Sequence, residues 1–114
     1  MNHSQSLLPH HRLKAYAAGC ALLDAVRAAH IRDAKLRDQA LRAAASVCLN
    51  TAEAAGRAQS ADRKRVFGIA RGEVVEAVAA VEVAVRGGFA RVAALAAVLE
   101  AGNRAYALLS GLLR

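Results

Sequence analysis

Between residues 39 and 57, six polar side chains recur at steps of three or four: Gln39, Arg42, Ser46, Asn50, Glu53 and Arg57. That spacing draws one line along a helix. A second line, Ile69, Glu73, Glu76 and Ala80, is flanked by Arg71 and Gly72. An amide, carboxylates and an arginine so arranged can satisfy one another across a helix contact and fix its register, because a buried polar group without a partner is costly. They can also hold a ligand or share a catalytic proton. The first reading makes Ser46, Asn50, Glu53, Arg71, Gly72 and Glu76 one structural network, in which Glu53, with Asn50, reaches Arg71 where Gly72 lets the backbones approach. The alternative is a small-molecule binder or enzyme centred on Glu53, Arg71 and Glu76.

Other chemistries find little support. A di-iron bundle needs Glu-x-x-His on two helices, and none of Glu53, Glu73, Glu76, Glu82 or Glu100 has a histidine three residues on. His3, His10, His11 and His30 read as solvated, since the adjacent His10 and His11 cannot share a helix face. Cys20 and Cys48 form no CxxC pair and read as free thiols that behave as small hydrophobes. No nucleophile with an adjacent base and no glycine-rich phosphate loop is visible. The expectation is a non-enzymatic protein with no catalytic residue, no cofactor and no metal.

Charge is the remaining functional signal. The chain of 114 residues carries a formal net charge of +7. Residues 1–71 hold twelve Lys and Arg against five acids, whereas residues 72–114 hold four of each. Arg32, Lys35, Arg37 and Arg42 populate the start of one segment, and Arg57, Arg63, Lys64 and Arg65 surround its far end. These eight are the candidate contacts for phosphate, where neutralised charges release counterions. Aromatic residues make up 4 % and read mostly as core, so base stacking is not the expected mode. Binding to RNA or DNA should be backbone-directed and salt-sensitive.

The elements that position these residues follow from composition. Hydrophobic residues make up 56 %, alanine leads them, and the single proline is Pro9; alanine favours helices, and strands want β-branched and aromatic residues. The fold class is all-α. Residues 1–10 read as a flexible lead-in and 11–114 as one bundle domain. Helices are predicted over about 11–29, from an Asp33 N-cap to about Ala55, over 61–86, and from about Phe89 to the C-terminus. Gly56 suits a left-handed helix end, Ser60 and Asp62 suit the next start, and Gly87 and Gly88 make the last turn. Gly102 and Asn103 are places where the fourth helix can fray or bend. Such short connections predict an antiparallel up-down-up-down four-helix bundle. An alanine-built core buries little area, so self-association is expected. The start lacks a secretory pattern, and the most apolar run, residues 74–85, is too short and too acidic to span a membrane; the expected location is cytoplasmic.

The stretch running from DAKLRDQALRAAASVCLNTAEAAGR to IARGEVVEA resembles the four-helix bundle proteins encoded in 23S ribosomal RNA intervening sequences. Those proteins follow an arginine-rich helix with Ser-Ile-x-x-Asn-Ile-Ala-Glu-Gly, a Gly-Arg turn, and Ala-Arg-Gly-Ser with a later Glu. Ser46, Asn50, Ala52 and Glu53 match the first motif, Gly56 and Arg57 the turn, and Ala70, Arg71, Gly72 and Glu76 the last. Val47, Thr51, Ala54 and Glu73 depart from it. The resemblance implies a homopentamer without known enzymatic activity. The same superfamily holds the accessory variability protein of diversity-generating retroelements, which binds a reverse transcriptase and nucleic acid. The resulting expectation is an oligomeric, nucleic-acid-associated accessory or scaffold protein; the alternative is a protein-interaction module, for example a reverse-transcriptase accessory.

Overall fold

The computed structural model describes residues 8–114. His3 and the first seven residues of the expected lead-in lie outside the described residues. A 3-10 turn, Pro9–Arg12, precedes four helices: α1 (Lys14–Ala28), α2 (Ala34–Ala55), α3 (Ser60–Arg86) and α4 (Ala94–Leu112). No strand occurs among the described residues. Each helix packs on two others, α1 on α2, α2 on α3, α3 on α4 and α4 on α1. The result is a four-helix bundle.

Helix ends depart from expectation in instructive ways. Asp33 does cap α2, accepting a hydrogen bond from the Leu36 N–H at 2.9 Å. The first helix begins at Lys14 because the chain spends Pro9–Arg12 in the 3-10 turn, where His10 packs edge-on against Tyr16 at 4.7 Å. Gly56 ends α2 in the right-handed region, and α3 starts after Gln59 without a side-chain cap, so Ser60 is already helical. The left-handed conformation falls instead on Gly88, with φ of 82°, and on His30, with φ of 48°. The last helix starts at Ala94, not Phe89, because the preceding residues serve another contact: the Arg32 N–H donates to the Phe89 carbonyl at 2.8 Å.

The core is built largely from alanine and valine around Leu22, Phe67 and Leu109. Small side chains let helices approach closely, and two glycines extend this. A Cβ added at Gly19 would lie 3.1 Å from Val47 Cγ1, and one at Gly102 would lie 2.6 Å from Val78 Cγ2. These glycines mark close approaches of α1 to α2 and of α3 to α4. Gly102 is buried within a continuous α4 and does not break it. Thr51 sits fully buried in α2, and its hydroxyl has no hydrogen-bond partner among the described residues.

Candidate nucleic-acid interface

The polar line on α2 splits into two groups. Asn50 Nδ2 donates to Ser46 Oγ at 2.9 Å, and Ser46 Oγ donates to Glu73 Oε2 on α3 at 3.3 Å. Burial pushes the Glu73 carboxyl up from its ordinary value, and the neighbouring Glu76 charge adds to this. The hydrogen bond from Ser46 and the charge of Arg42 pull the other way, as donors and cations near a carboxylate must. Glu53 does not join this group. One turn later in the chain lies Arg57, and the two form an exposed ion pair.

The expected contact between Glu53 and Arg71 is therefore absent. Arg71 points to α4, donating to Ser110 Oγ at 3.1 Å with its guanidinium 5.2 Å from the Tyr106 ring centroid. The reason is rotation: two residues advance a helix by about 200°, so when Glu73 faces α2, Arg71 faces elsewhere. Gly72 is exposed, and a Cβ there would meet nothing within 4 Å, so it mediates no close approach. Glu76 is exposed and touches the network only through Glu73.

The basic residues fall at two ends of α2. At its far end Arg57 Nη1 donates to Asp62 Oδ2 at 2.9 Å, while Arg65 approaches Asp62 Oδ1 at 3.0 Å. Hydrogen bonds from Arg65, then Arg57, hold the Asp62 carboxyl below its ordinary value against some desolvation. Arg63 Nη1 donates to the carbonyls of Arg57 at 2.9 Å and Ala58 at 3.1 Å, fastening the turn into α3. Lys64 stays exposed beside them.

At the near end, Arg32 donates from its guanidinium to the Gly88 carbonyl and Arg37 to the Ile31 carbonyl at 3.0 Å. Lys35 is exposed there, and Arg42 is exposed two turns further on. A helix of 22 residues is about 33 Å long at about 1.5 Å per residue. The eight candidates thus form two clusters separated along α2, with Arg42 between, and not one patch. Arg91 was not among them, because it lies in the charge-balanced part of the sequence; the fold brings it beside Arg32 at the near end.

With four helices and their polar contacts in place, the chain can be compared with known proteins. A family model described as 23S rRNA-intervening sequence protein matches residues 14–111. The chain belongs to that family. No curated protein matches it. The span matched by the 23S rRNA-intervening sequence protein family opens on the first residue of α1 and closes in the last turn of α4. The first three helices and all but the last residue of α4, with both basic clusters, therefore lie within the family unit.

Two further features belong to this member of the 23S rRNA-intervening sequence protein family. Between α3 and α4 runs a mostly apolar groove of about 180 Å³, lined by Val74, Val75, Val78, Gly102 and Tyr106 among others, with Glu82 and Asn103 as its polar members. Val75 and Tyr106 expose 53 % and 41 % of their surface, which leaves this stripe in contact with water. Between α1 and α2, Cys48 is buried and Cys20 half-buried, both as free thiols. Burial, then the neighbouring Cys20, pushes the Cys48 thiol up to about 12. Such a thiol is a poor nucleophile. Among the described residues, no group of three or more His, Cys, Asp or Glu converges as a metal ion would require, and no helix is long and apolar enough to cross a membrane.

Proposed function

We propose that the protein is a non-enzymatic, nucleic-acid-associated accessory or scaffold of the cytoplasm, which contacts RNA or DNA through phosphate. The observation that carries this reading is the state of its basic side chains. Arg32, Arg37 and Arg63 are held by backbone carbonyls, and Arg57 and Arg65 by carboxylates. Their planar guanidinium groups have donors to spare, so they are oriented before a phosphate arrives. Lys35, Arg42 and Lys64 are exposed and have no side-chain hydrogen bond or ion pair among the described residues. They add uncommitted positive charge. Phosphate contact through such groups is sequence-independent and weakens with salt.

The assembly that presents this charge is an antiparallel up-down-up-down bundle, five copies of which form a homopentamer. Ser46 meets Glu73 while Arg57 meets Asp62, so positions rise on α2 as they fall on α3. Gly102 lies against Val78 while Arg71 meets Ser110, and the same sense holds for α3 and α4. Pentamer formation is supported by the family's resemblance and by the exposed apolar groove between α3 and α4, since surface of this kind gains from being covered. Light scattering should return the mass of five chains; a strictly monomeric mass contradicts the assembly.

The same groove favours a second reading, in which the partner is another polypeptide, such as a reverse transcriptase. A gel shift with RNA and with DNA separates the two. Binding at about 50 mM salt that fades as salt rises supports the phosphate reading, and no binding at about 50 mM, where the electrostatic contribution is large, rejects it. A site centred on Glu53, Arg71 and Glu76 has little support, because those three side chains turn to different partners.

A further inference from the structure

We propose that the cavity where the α1–α2 loop meets the α3–α4 loop is a binding site for a phosphate monoester, a feature distinct from backbone contact along an open surface. The cavity measures about 390 Å³ and is lined by His30, Arg32 and Arg91 together with Ala28, Ala29, Ala93 and Ala94. That volume lies within the range of about 300–1,000 Å³ typical of small-ligand pockets. Its polar lining is entirely of groups that can carry positive charge, and no carboxylate contributes. The nearest acid in sequence, Asp33, is already committed to the Leu36 N–H at 2.9 Å.

The fold holds these three side chains together. Arg32 ties the two loops by its backbone N–H to the Phe89 carbonyl at 2.8 Å and by its guanidinium to the Gly88 carbonyl. One committed Nη–H leaves the other donors of that guanidinium available. The left-handed backbone of His30, with φ of 48°, belongs to the same loop, immediately before Ile31 and Arg32. Arg91 enters from the opposite loop, and neither it nor His30 has a side-chain hydrogen-bond or ion-pair partner among the described residues. The other lining residues are alanines, whose small side chains leave room for a bulky oxyanion.

Two guanidinium groups and an imidazole match a phosphate monoester, whose charge of about −1.5 to −2 at neutral pH exceeds the single charge of a diester. A concave site also admits a terminal group more readily than a strand passing through. The monoester can belong to a free mononucleotide or to the 5′ end of a strand, and the chemistry recognised is the same.

The test is an NMR titration of the ¹⁵N-labelled full chain with adenosine monophosphate, inorganic phosphate and adenosine. Adenosine monophosphate and phosphate should shift the amides of residues 29–33 and 90–95 saturably, and adenosine should not. Arg91→Ala should weaken adenosine monophosphate about tenfold, the loss expected for one charge-assisted hydrogen bond. Arg104→Ala, which removes an exposed arginine of α4 outside the cavity lining and outside both basic clusters, should leave that affinity unchanged. Equal shifts with adenosine, or equal losses in the two variants, would overturn the site. Oligonucleotides with 5′-phosphate and 5′-hydroxyl ends then identify the source: a preference for the phosphorylated end assigns the site to strand termini, and equal affinity assigns it to free nucleotides. Failure here leaves the general salt-dependent surface standing, because the 5′-hydroxyl strand reports on that surface alone.

Discussion

Ser46 Oγ on α2 donates to Glu73 Oε2 on α3 at 3.3 Å, and this hydrogen bond joins the polar lines of the two helices. Glu73 is a carboxylate kept partly from water beside Glu76, and its raised pKa has a definite consequence for stability. The folded state holds the proton more tightly than the unfolded chain, so between the unfolded value near 4.5 and the higher folded value, stability falls as pH rises. Glu73→Gln keeps an acceptor for Ser46 and removes the charge. Thermal melts should find the variant more stable than wild type at pH 7, with a smaller loss between pH 4.5 and 7. A variant less stable at pH 7, with the same pH slope, would show that ionised Glu73 is not under strain.

Thr51 provides a second test of the core. Its hydroxyl is fully buried without a partner among the described residues, and it occupies a position where the resembled family usually has isoleucine. Thr51→Val preserves the shape and removes the unsatisfied group, which should stabilise by about 1 kcal/mol. For a chain of this size that is a rise in Tm of roughly 4 °C. A fall in Tm would mean that the hydroxyl does have a partner, such as a water or another copy of the chain.

The thiols should differ in reactivity. A group with a pKa of about 12 is ionised at pH 8 only to about one part in ten thousand, and Cys48 is also buried. Titration of the native protein with a disulfide reagent should label Cys20 first and Cys48 only on unfolding. Equal rates for the two would contradict the packing of α1 on α2.

How much of this was legible in the sequence depends on the range of each interaction. The α2 cap at Asp33 and the four helical segments follow from local signals, and so does the ion pair of Glu53 with Arg57 at a spacing of four, which takes the place of the longer reach to Arg71. The start of α4 was not legible, because a backbone bond from Arg32 holds Phe89 in a loop from 57 residues away in sequence. The close-approach glycines are not legible for a similar reason. Gly72 lies within the family motif, yet Gly19 and Gly102 are the ones that meet side chains of a neighbouring helix, and only the rotation of packed helices decides which. In the same way, Arg91 joins the basic end through folding and not through its local charge balance.

The central claim, that oriented and uncommitted basic residues contact phosphate, is tested most directly by the salt dependence of RNA and DNA affinity, measured by fluorescence anisotropy for wild type and for Lys64→Ala and Arg42→Ala. The account predicts that log K falls linearly with log salt concentration and that each variant lowers the steepness by up to roughly one for each contact removed from a bound chain. It also predicts weakening across all sequences alike. Affinity that ignores salt, or no binding at about 50 mM salt, would contradict it.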